Sequence, residues 1–215
     1  MRQAVAANEI VACLQAMGEA RSNPVLDILD PQQPFIENHK YPPGKLTFAG
    51  SRWRAYYHSH GEPYRLENEH GHFHIFYMLD QQQWTHVAGL SMDRQGQPRQ
   101  WFTTNRWVTD ECWQDAEVIL QHVEAAAIEP AMKRVERWLL AMLHLYQDDI
   151  TQLLQSRDQA IQQRSKQAAR DAIFEDRDVY FFSESKIDLL NRLTEILSKE
   201  SGPEAINDPG HIRSR

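Results

Sequence analysis

Hydrophobic and polar positions follow different spacings along the chain, and each spacing predicts a different kind of element. Near the N-terminus, Ile10, Leu14 and Met17 recur at helical spacing, which predicts a helix over residues 3–20. Prolines crowd the next stretch, 22–50, and we expect irregular chain on the surface there.

Short runs of aromatic and β-branched residues follow, separated by turn residues. They cover residues 52–60, 71–79, 85–92 and 99–104. Because the later connections are short enough for hairpins, the pattern predicts an antiparallel meander of three to five strands. In the second run Phe73, Ile75 and Tyr77 share one face, which we expect to pack against helices.

Helical spacing returns beyond this region. Thr109 or Asp110 is placed to cap a helix that ends near residues 122–127. A stripe of apolar residues over 135–153 predicts one long helix, and we expect its polar continuation over 155–170 to project from the body.

The C-terminal part of the pattern predicts a short strand and a last helix. The strand is expected at 179–182, and Ser185 with Asp188 forms a candidate capping box before a helix that ends near Ser198. The whole pattern predicts an α+β fold, in which a small antiparallel sheet packs against several helices.

We expect this fold to form a single domain followed by a disordered tail. Its predicted parts are an N-terminal helix with an irregular segment (1–50), a sheet core (51–108), a helical region (109–200) and the tail (201–215).

Composition narrows the class of protein. The chain has 23 basic and 30 acidic residues, a net charge of −7, so we expect neither nucleic acid nor an anionic membrane as a partner. No apolar run is long enough to span a bilayer, and the N-terminus does not resemble a signal peptide. Two cysteines without a CxxC pair exclude a disulfide scaffold and a thiolate zinc site, and they fit a reducing cytoplasm.

Histidines are concentrated in the predicted sheet. Six of the ten lie between residues 58 and 86. Strand alternation puts His70, His72 and His74 on one face, and His58 and His60 on one face of the preceding strand. If these strands pair with the two faces aligned, five imidazoles converge.

Such a cluster suits a metal ion, because neutral imidazole is the commonest metal ligand in proteins. We take His58, His60, His72 and His74 as candidate ligands for one divalent transition metal, either iron, zinc or manganese. Glu69 is a candidate fifth ligand or base, and Glu62 is another nearby carboxylate. The alternative is that the histidines are solvated surface positions, or hydrogen-bonding groups of a polar pocket without metal. His86, His122 and His144 are interpreted as structural or surface residues.

The segment 101–107 offers a second candidate pocket wall. Short polar groups stand beside flat tryptophan rings there, a composition found in binding pockets. The alternative is a strand that ends in a turn, with its tryptophans in the core. The candidate ligand-binding residues of the chain are Tyr56, His70, Thr104, Asn105 and Arg106.

Two segments carry a family resemblance. EHGHFHIFYML with THVAGLSMD, and WFTTNRWVTDECW, resemble a family of bacterial proteins known only as a domain of unknown function. The resemblance is clearest over residues 41–113 and weaker to about residue 197. It supplies no activity, and implies only that the histidine strand and the FTTNRWVT segment belong to one shared feature.

A shorter resemblance concerns residues 70–76, which are similar to the histidine-triad signature of nucleotide hydrolases and transferases. That resemblance implies His72 as the nucleophile that attacks phosphorus, with Gly71 departing from the signature.

Three functions therefore compete. The first is a metal-binding protein or metal-dependent enzyme acting on a small molecule, with Glu69 and His72 as catalytic residues. The second is a non-enzymatic interaction protein whose long C-terminal helices bind a partner or a second copy in a homodimer. The third is the phosphorus chemistry of the histidine triad.

Overall fold

The computed structural model describes residues 2–61 and 65–200, which form an open antiparallel sheet and seven helices. The strands are Tyr41–Thr47 (β1), Trp53–His58 (β2), Gly71–Met78 (β3), Trp84–Met92 (β4), Pro98–Thr104 (β5) and Phe181–Lys186 (β6). The helices are Arg2–Glu19 (α1), Arg106–Thr109 (α2), Ala116–Ala125 (α3), Arg134–Leu145 (α4), Gln147–Arg164 (α5), Arg170–Phe174 (α6) and Leu189–Glu200 (α7).

The sheet has six strands in the order β1-β2-β3-β4-β5-β6, and every neighbouring pair is antiparallel. The α+β class and the meander are confirmed, but the prediction of three to five strands is too low. The additional strand, β1, contains Pro42 and Pro43 and lies at the edge of the sheet. Proline is tolerated on an edge strand, because an amide on the outer side has no neighbouring strand to bond. The predicted short strand near residue 180 is present as β6.

One face of the sheet packs on the helices, as the alternation predicts. Phe73 and Ile75 are fully buried and belong to one core with Ile10 of α1 and Trp138 of α4. The ring centres of Phe73 and Trp138 lie 6.3 Å apart. We call this side the helix face. Helix α5 reaches β6 through the Ser183 hydroxyl, which donates to the Leu153 carbonyl.

The expected single long helix is wrong: it is two helices, α4 and α5, which meet at Tyr146. Tyr146 leaves the helical region with φ −104° and ψ 25°. The apolar stripe of these helices is buried in the core, so it is not a surface for a partner. The polar continuation is also attached rather than projecting, since Arg157 and Ile161 are buried.

Two predicted helix caps differ from the structure. Asp110 ends α2 in the left-handed region, with φ 51°, instead of beginning a helix. Asp188 does cap α7, because its carboxylate accepts from the Asn191 amide at 3.1 Å, whereas Ser185 belongs to β6.

The opposite face of the sheet carries the histidines, and we call it the histidine face. Irregular segments flank it, through contacts of Asn38 with His60, Lys40 with Tyr56 and Glu111 with His86. No helix in the described part of the chain is long and apolar enough to cross a membrane. The predicted tail lies outside the described residues.

Candidate metal centre

Strand register brings the central histidines together. His58 of β2 lies opposite His72 of β3, and Tyr56 lies opposite His74. Directly opposite residues of an antiparallel pair present their side chains on the same face. The ring centres of His58, His72 and His74 are 4.6 to 5.0 Å apart, and we call these three residues the histidine triad.

The triad is buried. His72 and His74 are fully shielded from solvent, and His58 is 6% exposed. A wall is supplied by Phe102 of β5, whose ring centre lies 5.2 Å from His72 and 5.8 Å from His74. Gly89 permits this position, because a Cβ atom there would lie 2.2 Å from the Phe102 ring.

Hydrogen bonds fix the protonation pattern of His72. Its Nδ1 lies 2.8 Å from Oε1 of Glu69. Because a carboxylate only accepts, we assign the proton to Nδ1, which leaves a lone pair on Nε2. That Nε2 lies 2.9 Å from Nε2 of His58. In metal sites, the imidazole nitrogen that does not bind the metal usually donates to a carboxylate or a carbonyl, as His72 Nδ1 does to Glu69.

His74 has the same pattern with a different partner. Its Nδ1 lies 2.9 Å from Nε2 of His86. Burial lowers the pKa of His86 to about 3, so this ring is neutral and one of the two facing nitrogens donates to the other. We assign the proton to His74 Nδ1, in analogy with His72, which leaves a lone pair on His74 Nε2. This nitrogen is buried without a hydrogen-bond partner.

Other unpartnered polar atoms share this region. Glu69 Oε2, Ser91 Oγ and Thr104 Oγ1 are buried with no hydrogen-bond partner. Ser91 lies directly opposite His72 in the sheet. Buried polar groups are nearly always paired, so a concentration of unpaired ones indicates a site that a ligand or ion completes.

The distances suit one ion after a small rearrangement. A metal with two imidazole nitrogens at its usual bond length holds them about 3.0–3.4 Å apart. His58 Nε2 and His72 Nε2, 2.9 Å apart, are already close to this spacing. The ligand atoms of the triad all lie within 4.8 Å of one another, so a ring rotation must bring the third ligand closer.

The electrostatics keep the imidazoles of His58 and His74 neutral. Burial and, to a smaller extent, the neighbouring His72 together lower the pKa of His58 to about 2. Burial, followed by His72, also holds the pKa of His74 well below its usual range. Neutral imidazole is the form that binds metals, so both rings are prepared as ligands at neutral pH.

Two predicted members of the cluster have other partners. His60 contacts His58, with ring centres 4.4 Å apart, but its nitrogens bond Asn38 at 3.0 Å and Tyr180 at 2.8 Å. The expectation that His70 shares the face of His72 is wrong. Its ring stacks on Phe35 and its Nδ1 lies 2.8 Å from the Tyr57 hydroxyl, on the helix side of the sheet.

The remaining candidate ligand-binding residues fall into two groups. Tyr56 lies against the triad, 5.2 Å from both His58 and His74 between ring centres. Thr104 follows Phe102 by two positions on β5 and so shares its face. Glu62 lies outside the described residues.

Asn105 and Arg106 have structural partners. The Asn105 side chain caps α2 by accepting from the Arg106 amide, and it donates to the carbonyls of Ile173 and Asp176. Arg106 pairs with Glu175 at 2.7 Å. These bonds fasten the end of β5 to the segment before β6.

Sequence reasoning missed two residues behind the triad. The sequence pattern indicates a structural or surface role for His86, yet His86 bonds His74 directly. The carboxylate of Glu111 accepts from the His86 amide and from the Thr85 hydroxyl. Burial raises the pKa of Glu111 to about 7, although Arg157 acts in the opposite direction. Glu111 lies in the hydrophilic segment between α2 and α3, and nothing in the sequence there predicts a contact with His86.

The fold and the site together define an α+β protein with a buried histidine triad that could hold a metal ion. The chain belongs to a family described as "Domain of unknown function (DUF6969)", which matches residues 4–187. No curated protein and no solved structure matches the chain. The prediction that the chain belongs to a family of unknown function is therefore confirmed, and the family assigns no activity.

Proposed function

We propose that the chain binds one divalent transition metal ion through His58, His72 and His74 and acts as a metal-dependent enzyme on a small molecule. The observation that carries this proposal is that Nδ1 of His72 and Nδ1 of His74 are both hydrogen-bonded, which by our assignment leaves a lone pair on each Nε2. Each Nδ1 is engaged behind its ring, by Glu69 or His86, and the freed nitrogens belong to one triad.

The chemistry follows from a three-histidine donor set. Iron, zinc and manganese all accept imidazole, and three protein ligands leave coordination positions for water or a substrate. A bound ion can polarise a substrate oxygen or lower the pKa of a bound water molecule. Tyr56 and Thr104 flank the triad and would line the substrate space. Glu69 acts here as a positioning residue, because it holds His72 through Nδ1.

The phosphorus chemistry implied by the resemblance of residues 70–76 to nucleotide hydrolases and transferases has less support. Attack on phosphorus requires a free Nε2 atom on His72, whereas this atom lies 2.9 Å from His58 Nε2, and Gly71 departs from the signature. No described contact favours a second function of this kind.

The test is the metal content of tag-free protein purified without chelator. We expect about one ion of iron, zinc or manganese per chain by plasma mass spectrometry, and none in the His72→Ala/His74→Ala variant. The matched control is His39→Ala/His122→Ala, which removes two histidines elsewhere and should keep the ion. Substitution with Co²⁺ should give visible absorption that identifies nitrogen ligands in the wild type only.

A second arm tests the layer behind the ligands. Glu69→Gln should weaken metal binding by about 10–100-fold, because it removes the charge that orients His72. Retention of metal by the double triad variant, or a wild type that refuses added Fe²⁺, Zn²⁺ and Mn²⁺, would contradict the proposal.

A further inference from the structure

Three basic residues lie along one edge of the sheet: Lys40 just before β1, Lys45 on β1 next to the Leu46–Ala55 pair, and Arg54 on β2. The ammonium of Lys40 lies 4.5 Å from the centre of the Tyr56 ring. The Arg54 guanidinium stacks on Trp84, 3.7 Å from its ring centre, and lies 5.1 Å from that of Phe76. We call these residues the basic trio.

The ring of Tyr56 lies between the basic trio and the histidine triad. The Tyr56 ring, which Lys40 covers, is 5.2 Å from both His58 and His74 between centres. Arg54 precedes Tyr56 by two positions on β2, so its side chain leaves the same face of the sheet.

The trio lacks acidic partners. Within residues 2–61 and 65–200, none of its three members forms an ion pair, whereas Arg52, two positions from Arg54, pairs with Asp80. The Nε atom of Arg54 is also buried without a hydrogen-bond partner. Such a group stands out in a chain with a net charge of −7.

The members of the trio repel one another. Partial burial lowers the pKa of Lys40 and that of Lys45, and the charge of Arg54 lowers both further. An anion placed among the three cations would relieve this repulsion and give the buried Arg54 nitrogen a partner.

We propose that Lys40, Lys45 and Arg54 bind the anionic group of the small molecule that reacts at the histidine triad. The group is a carboxylate or a phosphate, since both suit ammonium and guanidinium donors. This inference rests on the proposed function for its link to the triad. It implies a small substrate whose anionic end lies beside Tyr56 and whose reactive end reaches the histidines.

The test is calorimetric titration of the full chain with inorganic phosphate and, separately, with succinate. Each titration is done on metal-free protein and on protein loaded with metal. The variant is Lys40→Gln/Lys45→Gln, which leaves the buried Arg54 in place. The matched control is Lys166→Gln/Lys199→Gln, which removes the same charge from the turn after α5 and from α7.

We expect one of the two anions to bind the wild type and the control alike, and to bind the variant on the order of tenfold more weakly. The preferred anion tells a carboxylate substrate from a phosphate. The variant should keep the metal content of the wild type, which separates this site from the triad.

Equal binding by variant and wild type, or no binding of either anion at millimolar concentrations, would overturn the inference. If metal-free protein binds an anion through the lysines while the metal test fails, the anion site stands and the proposed function fails.

Discussion

At strand β3 the two faces of the sheet are buried to the same degree but consist of different groups. On the helix face, Phe73 and Ile75 are fully buried among other apolar side chains. On the histidine face, His72 and His74 are equally buried, among imidazoles and an aromatic ring. Both residue pairs come from the same strand, β3.

The comparison separates packing from chemistry. The unpartnered polar atoms near the helices, such as Trp138 Nε1 and Tyr146 Oη, belong to large rings whose burial is itself favourable. Those near the triad, such as His74 Nε2 and Glu69 Oε2, belong to groups whose burial is costly. The helix face therefore stabilises the fold, whereas the burial of the polar groups on the histidine face needs another explanation, which the proposed metal site supplies.

The largest expected effect on stability comes from truncating a buried side chain on the helix face. Phe73→Ala should lower the free energy of unfolding by about 3–5 kcal/mol, because it removes buried apolar area and leaves a cavity beside Trp138. Urea unfolding of metal-free protein measures this. The control Val5→Ala, at a position that is 64% exposed, should change stability little. A cost below about 1 kcal/mol for Phe73→Ala would mean that this face is not the main core.

The second effect concerns the carboxyl group behind the histidine face. The raised pKa of Glu111, about 7, means that the folded state holds its proton more tightly than the unfolded state does. The stability from this group is therefore full below the ordinary pKa of 4.5 and is lost as pH rises through 7.

Glu111→Gln should remove this dependence. Glutamine can still accept from the His86 amide, and it does not ionise. Relative to the wild type, the variant should gain up to about 3 kcal/mol between pH 4.5 and pH 8, measured by urea unfolding at each pH. Parallel curves for the two proteins across this range would show that Glu111 keeps an ordinary pKa.

A smaller effect is expected at Gly89. An added methyl group must displace the Phe102 ring from the triad, so Gly89→Ala should cost about 1–3 kcal/mol and weaken metal binding. The control is Gly18→Ala in α1, where a Cβ atom meets nothing within 4 Å and alanine favours the helix. Equal stability of the two variants would contradict the close contact.

Local patterns predicted much of the fold. Two-residue alternation identified the helix side of β3, and short polar links identified the meander. Strand β1 was missed because its prolines and Gly44 indicate irregular chain, and only its place at the sheet edge makes them acceptable. The break at Tyr146 was missed because no proline or glycine marks it.

The site was predicted less completely, since it depends on register. The convergence of His58 and His72 was predicted only on the condition that their strands pair. The sequence does not give the strand order, so it could not decide this. His86 has the same parity as the helix-side residues Ala88 and Leu90, and a β-bulge near its partner Phe76 moves it to the histidine face. Its contact with His74 therefore needs three-dimensional information.

The smallest expected effect gives the sharpest test of the comparison. His74→Leu alone leaves His86 Nε2 without its partner and should cost about 1–3 kcal/mol in metal-free protein. His74→Leu/His86→Leu removes both partners, so its stability should lie within about 1 kcal/mol of the wild type, while metal binding is lost. Urea unfolding and metal analysis of both variants measure this. A cost for the double variant as large as that of Phe73→Ala would show that the histidines are core hydrogen-bonding groups. Two faces of one sheet would then share a structural role, and the reason to place a metal between His58, His72 and His74 would be gone.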